Sequence, residues 1–113
     1  MSFGLDIVTL DQDGNEHWIE VVDGHTYNLS PMWRKALPGL IGEGSTSALE
    51  GLRCLDILAA LETGLLDTYR NADEYIALNP SNGWGDFDGF CEVYSKFVRL
   101  AHKYPSGIVR WNG

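Results

Sequence analysis

Cations are scarce in this chain of 113 residues: 8 Lys and Arg stand against 16 Asp and Glu, a formal net charge of −8. That shortage argues against direct nucleic-acid binding, which needs cations to displace the counterions of phosphate. Cysteine is equally sparse. Cys54 and Cys91 are the 2 present; both fall in apolar helical patterns without a partner motif and read as reduced packing residues. No apolar run reaches the length of about 18 residues that would suggest a membrane span. Residues 1–20 hold acids and no Lys or Arg, the reverse of a secretory leader, so the expected location is the cytoplasm.

The signatures of a chemical centre are missing as well. His17, His25 and His102 are scattered, with no HxxxH or CxxC spacing, so no metal and no cofactor are expected. Asp11-Gln12-Asp13-Gly14-Asn15 has the look of a calcium-loop fragment but lacks the later bidentate acid, and reads as a hairpin turn. Gly39, Gly42 and Gly44 do not follow a strand as phosphate-binding glycines do. Neither cysteine has a histidine placed to activate it. No catalytic residue is assigned. An enzyme on this chain would have to assemble a dispersed acid–base site from His25, Asp86 or Asp88.

What the chain does have is enough apolar material for a core. Hydrophobic residues make up 44% and mean hydropathy is −0.15, the balance of a globular chain rather than a disordered one. The length fits a single domain over residues 1–113. Charge is unevenly placed. Residues 1–30 contain Asp6, Asp11, Asp13, Glu16, Glu20 and Asp23 without a Lys or Arg, whereas residues 93–113 contain Lys96, Arg99, Lys103 and Arg110 without an acid. Complementary ends suggest packing near one another. An acidic surface of this kind would also suit a DNA mimic directed at a DNA-binding protein.

The pattern predicts an α+β fold. Residues 5–10 and 17–22 read as two strands of a hairpin, with Ile19 and Val21 toward the core, and Asp23-Gly24 as a second turn. Ser30-Pro31 opens a short helix that Pro38-Gly39 ends. Apolar residues at Leu49, Leu52, Leu55, Leu58 and Leu61 predict a central buried helix over residues 48–62, with Leu55 in the core and Gly64 at its end. Ser47 with Glu50, and Asn71 with Glu74, have capping-box spacing. Asp86 opens the clearest helix, carrying Phe87, Phe90, Cys91, Tyr94, Phe97, Val98 and Ala101 on one stripe. Tyr94 would need a hydroxyl partner if buried. Residues 108–111 read as a short strand able to join the hairpin. The expectation is a small antiparallel sheet packed on two main helices and several short ones.

Asn79-Pro80-Ser81-Asn82-Gly83-Trp84-Gly85 is the most informative stretch. Pro80 interrupts, Asn82-Gly83 tolerates positive φ, and Trp84 is delivered to the mouth of a helix N-terminus, where N–H groups could meet an anion or polar ligand. Two readings stand open, a core plug behind a tight turn and a ring lining a cleft. With His25, Tyr27, Asn28, Trp33 and Arg34, the residues Asn82 and Trp84 form a polar–aromatic set of the kind that binds nucleobases and other planar ligands. The structural reading of the same set is that Tyr27 and Trp33 anchor the core and Asn28 shapes a turn.

His25-Thr26-Tyr27-Asn28-Leu29-Ser30-Pro31-Met32, followed by Asn79-Pro80-Ser81-Asn82-Gly83-Trp84-Gly85-Asp86-Phe87 and a closing amphipathic helix, resembles a group of small phage-encoded proteins. Those carry an "HNL…M" segment, a middle helix, an "NGWG" loop, and a last helix followed by a strand. The resemblance spans residues 25–111, and Tyr27 stands where the group has His. It implies origin and fold rather than mechanism. The functional expectation is therefore a non-enzymatic phage accessory protein in the host cytoplasm, acting in host takeover or counter-defence. Its expected partner is a host protein or a small, nucleotide-like ligand. The sequence leaves oligomeric state open.

Overall fold

The computed structural model describes residues 1–113. Strand β1 (Ser2–Leu10) and strand β2 (Glu16–Thr26) form the N-terminal hairpin. Its turn is held by the Asp11 carboxylate, which accepts from the N–H groups of Asp13 and Asn15 at 2.9 Å and pairs with His17 Nε2 at 2.9 Å. Asp23-Gly24 is not a separate turn. β2 runs through it with register shifts against β1 between Phe3, Leu5 and Asp6, and Gly24 takes a positive φ of 71°. After a 3-10 turn at Tyr27–Leu29 come α1 (Ser30–Ala36) and the single turn α2 (Pro38–Ile41). A second 3-10 turn spans Thr46–Leu49; α3 (Cys54–Arg70), α4 (Ala72–Ile76), α5 (Phe87–Lys103) and strand β3 (Ile108–Asn112) follow.

The architecture is the expected α+β arrangement, a three-stranded antiparallel sheet in the order β2-β1-β3 packed on helices. β3 lies against β1 with Leu5 opposite Trp111 and Ile7 opposite Val109, so the first and last strands of the chain share a sheet; of the four C-terminal cations only Arg110 is in it, and it pairs with Glu50. The inward side chains of β1, among them Phe3, Leu5 and Ile7, meet Trp33 of α1, Ile57 and Leu61 of α3, and Phe90, Tyr94 and Phe97 of α5 in one buried cluster. No helix is long and apolar enough to cross a membrane.

The central helix departs from the sequence expectation at both ends. It begins at Cys54 because residues 50–53 are drawn into the sheet. Gly51 N–H donates to the Val109 carbonyl at 2.8 Å, Val109 N–H to the Leu52 carbonyl at 2.8 Å, and Cys54 N–H to the Gly107 carbonyl at 2.9 Å. Gly51, at φ 81°, makes the bend. Starting the helix there sets its buried face at Cys54, Ile57, Leu61, Gly64 and Thr68. Leu55, expected in the core, is 54% exposed. The two capping boxes are also absent. Ser45 caps the Thr46–Leu49 turn, Glu50 reaches Trp111 N–H and Arg110, and the Asn71 side chain donates to Asp67. Ser30 is inside α1, with Leu29 preceding it as the cap residue, and Thr26 caps the 3-10 turn before that.

Gly64 does not end α3; it sits buried in mid-helix. A Cβ there would fall 2.6 Å from the Ala36 carbonyl oxygen and closer still to the Tyr94 hydroxyl. That hydroxyl donates to the Leu61 carbonyl at 2.7 Å, the partner a buried Tyr94 requires. Alanine normally favours a helix interior over glycine by about 1 kcal/mol. Here the crowding is against backbone, and overpacking of this kind costs about 1–3 kcal/mol. Gly64→Ala is therefore expected to lower the urea midpoint; an unchanged or raised midpoint would show that α1 and α5 yield freely around α3.

Candidate functional site

The loop of residues 79–86 is built from its own side chains. Asn82 Oδ1 accepts from Trp84 N–H at 2.9 Å, an Asx turn of the type asparagine forms two residues ahead. Gly83 and Gly85 take φ of 77° and 95°. Gly85 is needed for a second reason: a Cβ there would stand 2.8 Å from Thr26 Cγ2 and 3.0 Å from Leu29 Cγ. The loop therefore presses its bare backbone onto the turn that follows β2, and Trp84 is thrown outward. Its ring is 66% exposed, so Trp84 is not a core plug.

Across from it, Thr26 Oγ1 accepts from the backbone N–H of Asn28 at 3.2 Å and from its side-chain amide at 3.0 Å. Asn28 is thereby fixed. Between the two loops lies an open cleft of about 480 Å³, with Asn82 and Trp84 on one side, Asn28, Thr26 and Gly24 on the other, and Met1 and Ser2 completing it. A smaller depression of about 360 Å³ on the far side of Trp84 reaches Val22, His25, Asp86 and Glu92. One exposed aromatic side chain thus borders two adjoining hollows. No Lys or Arg side chain lines either of them.

The seven residues singled out from the sequence separate into three groups. Asn28, Asn82 and Trp84 converge on the larger cleft. Tyr27 is half-buried against Phe3, with ring centroids 5.4 Å apart, and Arg34 turns away to the Gly44 carbonyl at 3.4 Å. Trp33 is wholly buried, and His25 is 7% exposed. His25 packs edge-on to both Phe3 and Trp33 at centroid separations of 5.3 and 5.9 Å. Its Nε2 and the Trp33 Nε1 have no hydrogen-bond partner. Burial holds the His25 imidazole at a pKa of about 4, so it is neutral at pH 7. Thr26, Met1 and Ser2 were not foreseen in the site; for Thr26 the signal was its position two residues before Asn28, the spacing of a side-chain-capped turn.

The start of α5 is closed to an incoming anion. Phe87 N–H donates to Asn79 Oδ1 at 2.8 Å and Gly89 N–H to Asp86 Oδ1 at 2.8 Å, and the first turn carries the further acid Asp88. Two side chains occupy the donors that a phosphate would use. Asp86 is consequently a helix cap, with its carboxylate engaged. Cys54 is buried and its thiol is pushed up to about 11 by burial; Cys91 is raised for the same reason, with Asp88 adding to it. Both thiols stay protonated at pH 7. A half-buried pair joins α3 and α4: the hydroxyl of the buried Tyr75 donates to Asp67 Oδ2 at 2.6 Å, while the Asn71 side chain donates to Oδ1 at 2.6 Å. These bonds hold the Asp67 carboxyl below its ordinary range. That cluster stabilises the helical corner and lies apart from the cleft. Comparisons with protein-family models, with curated proteins and with solved structures gave no match to this chain.

Proposed function

We propose that this chain is a non-enzymatic phage accessory protein that binds a small planar ligand, of the nucleobase class, in the cleft at Trp84. The observation that carries the reading is the exposure of Trp84 on a loop shaped by its own Asx turn and two positive-φ glycines. An indole left in water at 66% exposure forgoes the burial a tryptophan would gain in the core. Holding it outward on two positive-φ glycines and an Asx turn makes sense if another surface covers it. Asn28 and Asn82 add amide groups at the rim, able to pair with ring nitrogens and carbonyls. Host-directed action rests on the resemblance of residues 25–111 to small phage-encoded proteins. The acid–base alternative has weaker support, since the Asp86 carboxylate caps a helix and His25 is enclosed.

The test is a titration of the chain with free bases and nucleosides, followed by tryptophan fluorescence and by amide shifts of residues 24–28 and 82–85. Saturable shifts in both loops are expected with at least one planar compound. Trp84→Ala should abolish them while changing stability by less than about 0.5 kcal/mol, as for other exposed positions. Leu61→Ala, in the core, should cost about 2–5 kcal/mol and serves as the reference. The reading fails if Trp84→Ala is as destabilising as Leu61→Ala, or if no planar compound moves either loop.

A further inference from the structure

The two edges of the sheet are treated differently. The outer edge of β3 is closed by residues 51–54, which bond to Gly107 and Val109. No such cover lies along the first half of β2. Antiparallel pairing alternates, and the Asp11 N–H to Asn15 carbonyl bond fixes the phase, so His17 and Ile19 face β1 and Glu16, Trp18 and Glu20 turn their N–H and C=O groups outward. No backbone partner for these three lies beyond β1, and all three residues are exposed. An uncovered edge of this kind is a template for another strand.

Side chains say which strand fits. Glu16, Trp18 and Glu20 lie on one face at a spacing of two, opposite Leu10, Val8 and Asp6 of β1. Trp18 is 58% exposed and Leu10 is 68% exposed. β1 and β2 hold no Lys or Arg, and Glu16, Glu20, Asp6 and Asp23 take part in none of the ion pairs of the chain. A second copy of β2 is the wrong occupant. Antiparallel self-pairing centred on Trp18 sets Glu16 of each copy opposite Glu20 of the other, and like charges directly opposite are destabilising. The complement of acid–aromatic–acid is a strand with cations two residues either side of an apolar one. We infer that the open edge of β2 at Glu16, Trp18 and Glu20 receives an extended basic segment of a partner polypeptide by strand addition. Main-chain bonds at the three outward residues give the register; lysine or arginine over Glu16 and Glu20, with an apolar side chain against Trp18, gives the selection. This surface is separate from the Trp84 cleft.

The experiment uses the isotopically labelled full chain and a capped heptapeptide in which threonine alternates with lysine, valine and lysine. Binding should shift the Glu16, Trp18 and Glu20 amides, slow their hydrogen exchange, and leave the Trp84 loop unmoved. The double variant Glu16→Gln/Glu20→Gln should bind about tenfold more weakly, the sum of two cross-strand charge pairs. Glu16→Lys/Glu20→Lys should transfer preference to the same peptide with glutamate for lysine. Since both positions are exposed, the variants keep the fold, which the hairpin amide spectrum verifies. The inference is overturned if the glutamate peptide binds the wild-type chain equally well, or if the lysine peptide shifts other surfaces or saturates none. Protection of the three amides in the free protein, together with a concentration-dependent doubling of mass, would also overturn it, by showing that a second copy occupies the edge.

Discussion

Trp33→Ala is expected to lower the stability of the fold by about 3–5 kcal/mol, the range for deleting a buried aromatic ring. Trp33 is fully enclosed and joins three layers. Its ring lies edge-on to Phe90 of α5 at 5.3 Å and to Phe3 of β1 at 6.3 Å, and tilted on Tyr94 at 5.6 Å. Total stabilities of small domains are about 5–15 kcal/mol, so the loss is a large fraction and should appear as a much lower urea midpoint. Trp33→Phe separates packing from polarity. The indole N–H is buried without an acceptor, and an orphaned donor of this kind costs about 1–3 kcal/mol. Phenylalanine forfeits some area but removes that donor, so this variant should stay far closer to wild type than alanine does. It should also leave the planar-ligand binding proposed for the Trp84 cleft unchanged. A Trp33→Ala protein as stable as wild type would mean that the packing of α1 on the sheet is wrong.

Much of this fold is legible in the sequence because local and tertiary demands agree. Asp86 followed by a continuous apolar stripe gives α5 its start and its buried face, and the Asp-rich turn with flanking alternation gives the hairpin. The final strand is readable from its turn and its β-branched residues. The central helix is misread where tertiary pairing overrides local pattern. Leucines at every third position continue smoothly from Leu49 to Leu61, yet bonds from Gly51 to Val109 of β3 and from Cys54 to Gly107 just before it break the helix and turn Leu55 to solvent. Gly64 misleads for a related reason. A glycine that terminates a helix and one that admits a neighbouring carbonyl look alike until the neighbour is placed.

The candidate site divides along the same line. Asn28, Asn82 and Trp84 sit on loops whose turn chemistry is written locally, and their convergence follows once Gly85 lets the loops touch. Trp33 and His25 have the same residue types a ligand site would use. Only their position beneath Phe3 distinguishes core from cleft, and nothing in a short window of sequence encodes that.

Acid should expose His25. Burial lowers its pKa from 6.5 to about 4 in the folded chain, so the unfolded chain binds the proton more tightly. The stability this residue contributes in neutral form is fully present above pH 6.5 and is lost as pH falls from there toward 4. Other groups act in different windows. Asp11, held down to about 2 mainly by His17, and Asp67, held down mainly by Tyr75, lose their contributions as pH falls below the ordinary carboxylate value. Asp6 works in the opposite sense: burial, with Glu20 and Asp23 beside it, raises its pKa, so protonation favours the folded state. Between pH 6.5 and 4.5 the His25 contribution should therefore dominate. Urea midpoints measured across that interval should fall steeply for the wild type and remain nearly level for His25→Phe, which keeps an aromatic ring beside Phe3 and Trp33 without a titrating nitrogen. Equal slopes for the two proteins would show that His25 reaches water in the folded state and titrates there as it does in the unfolded chain.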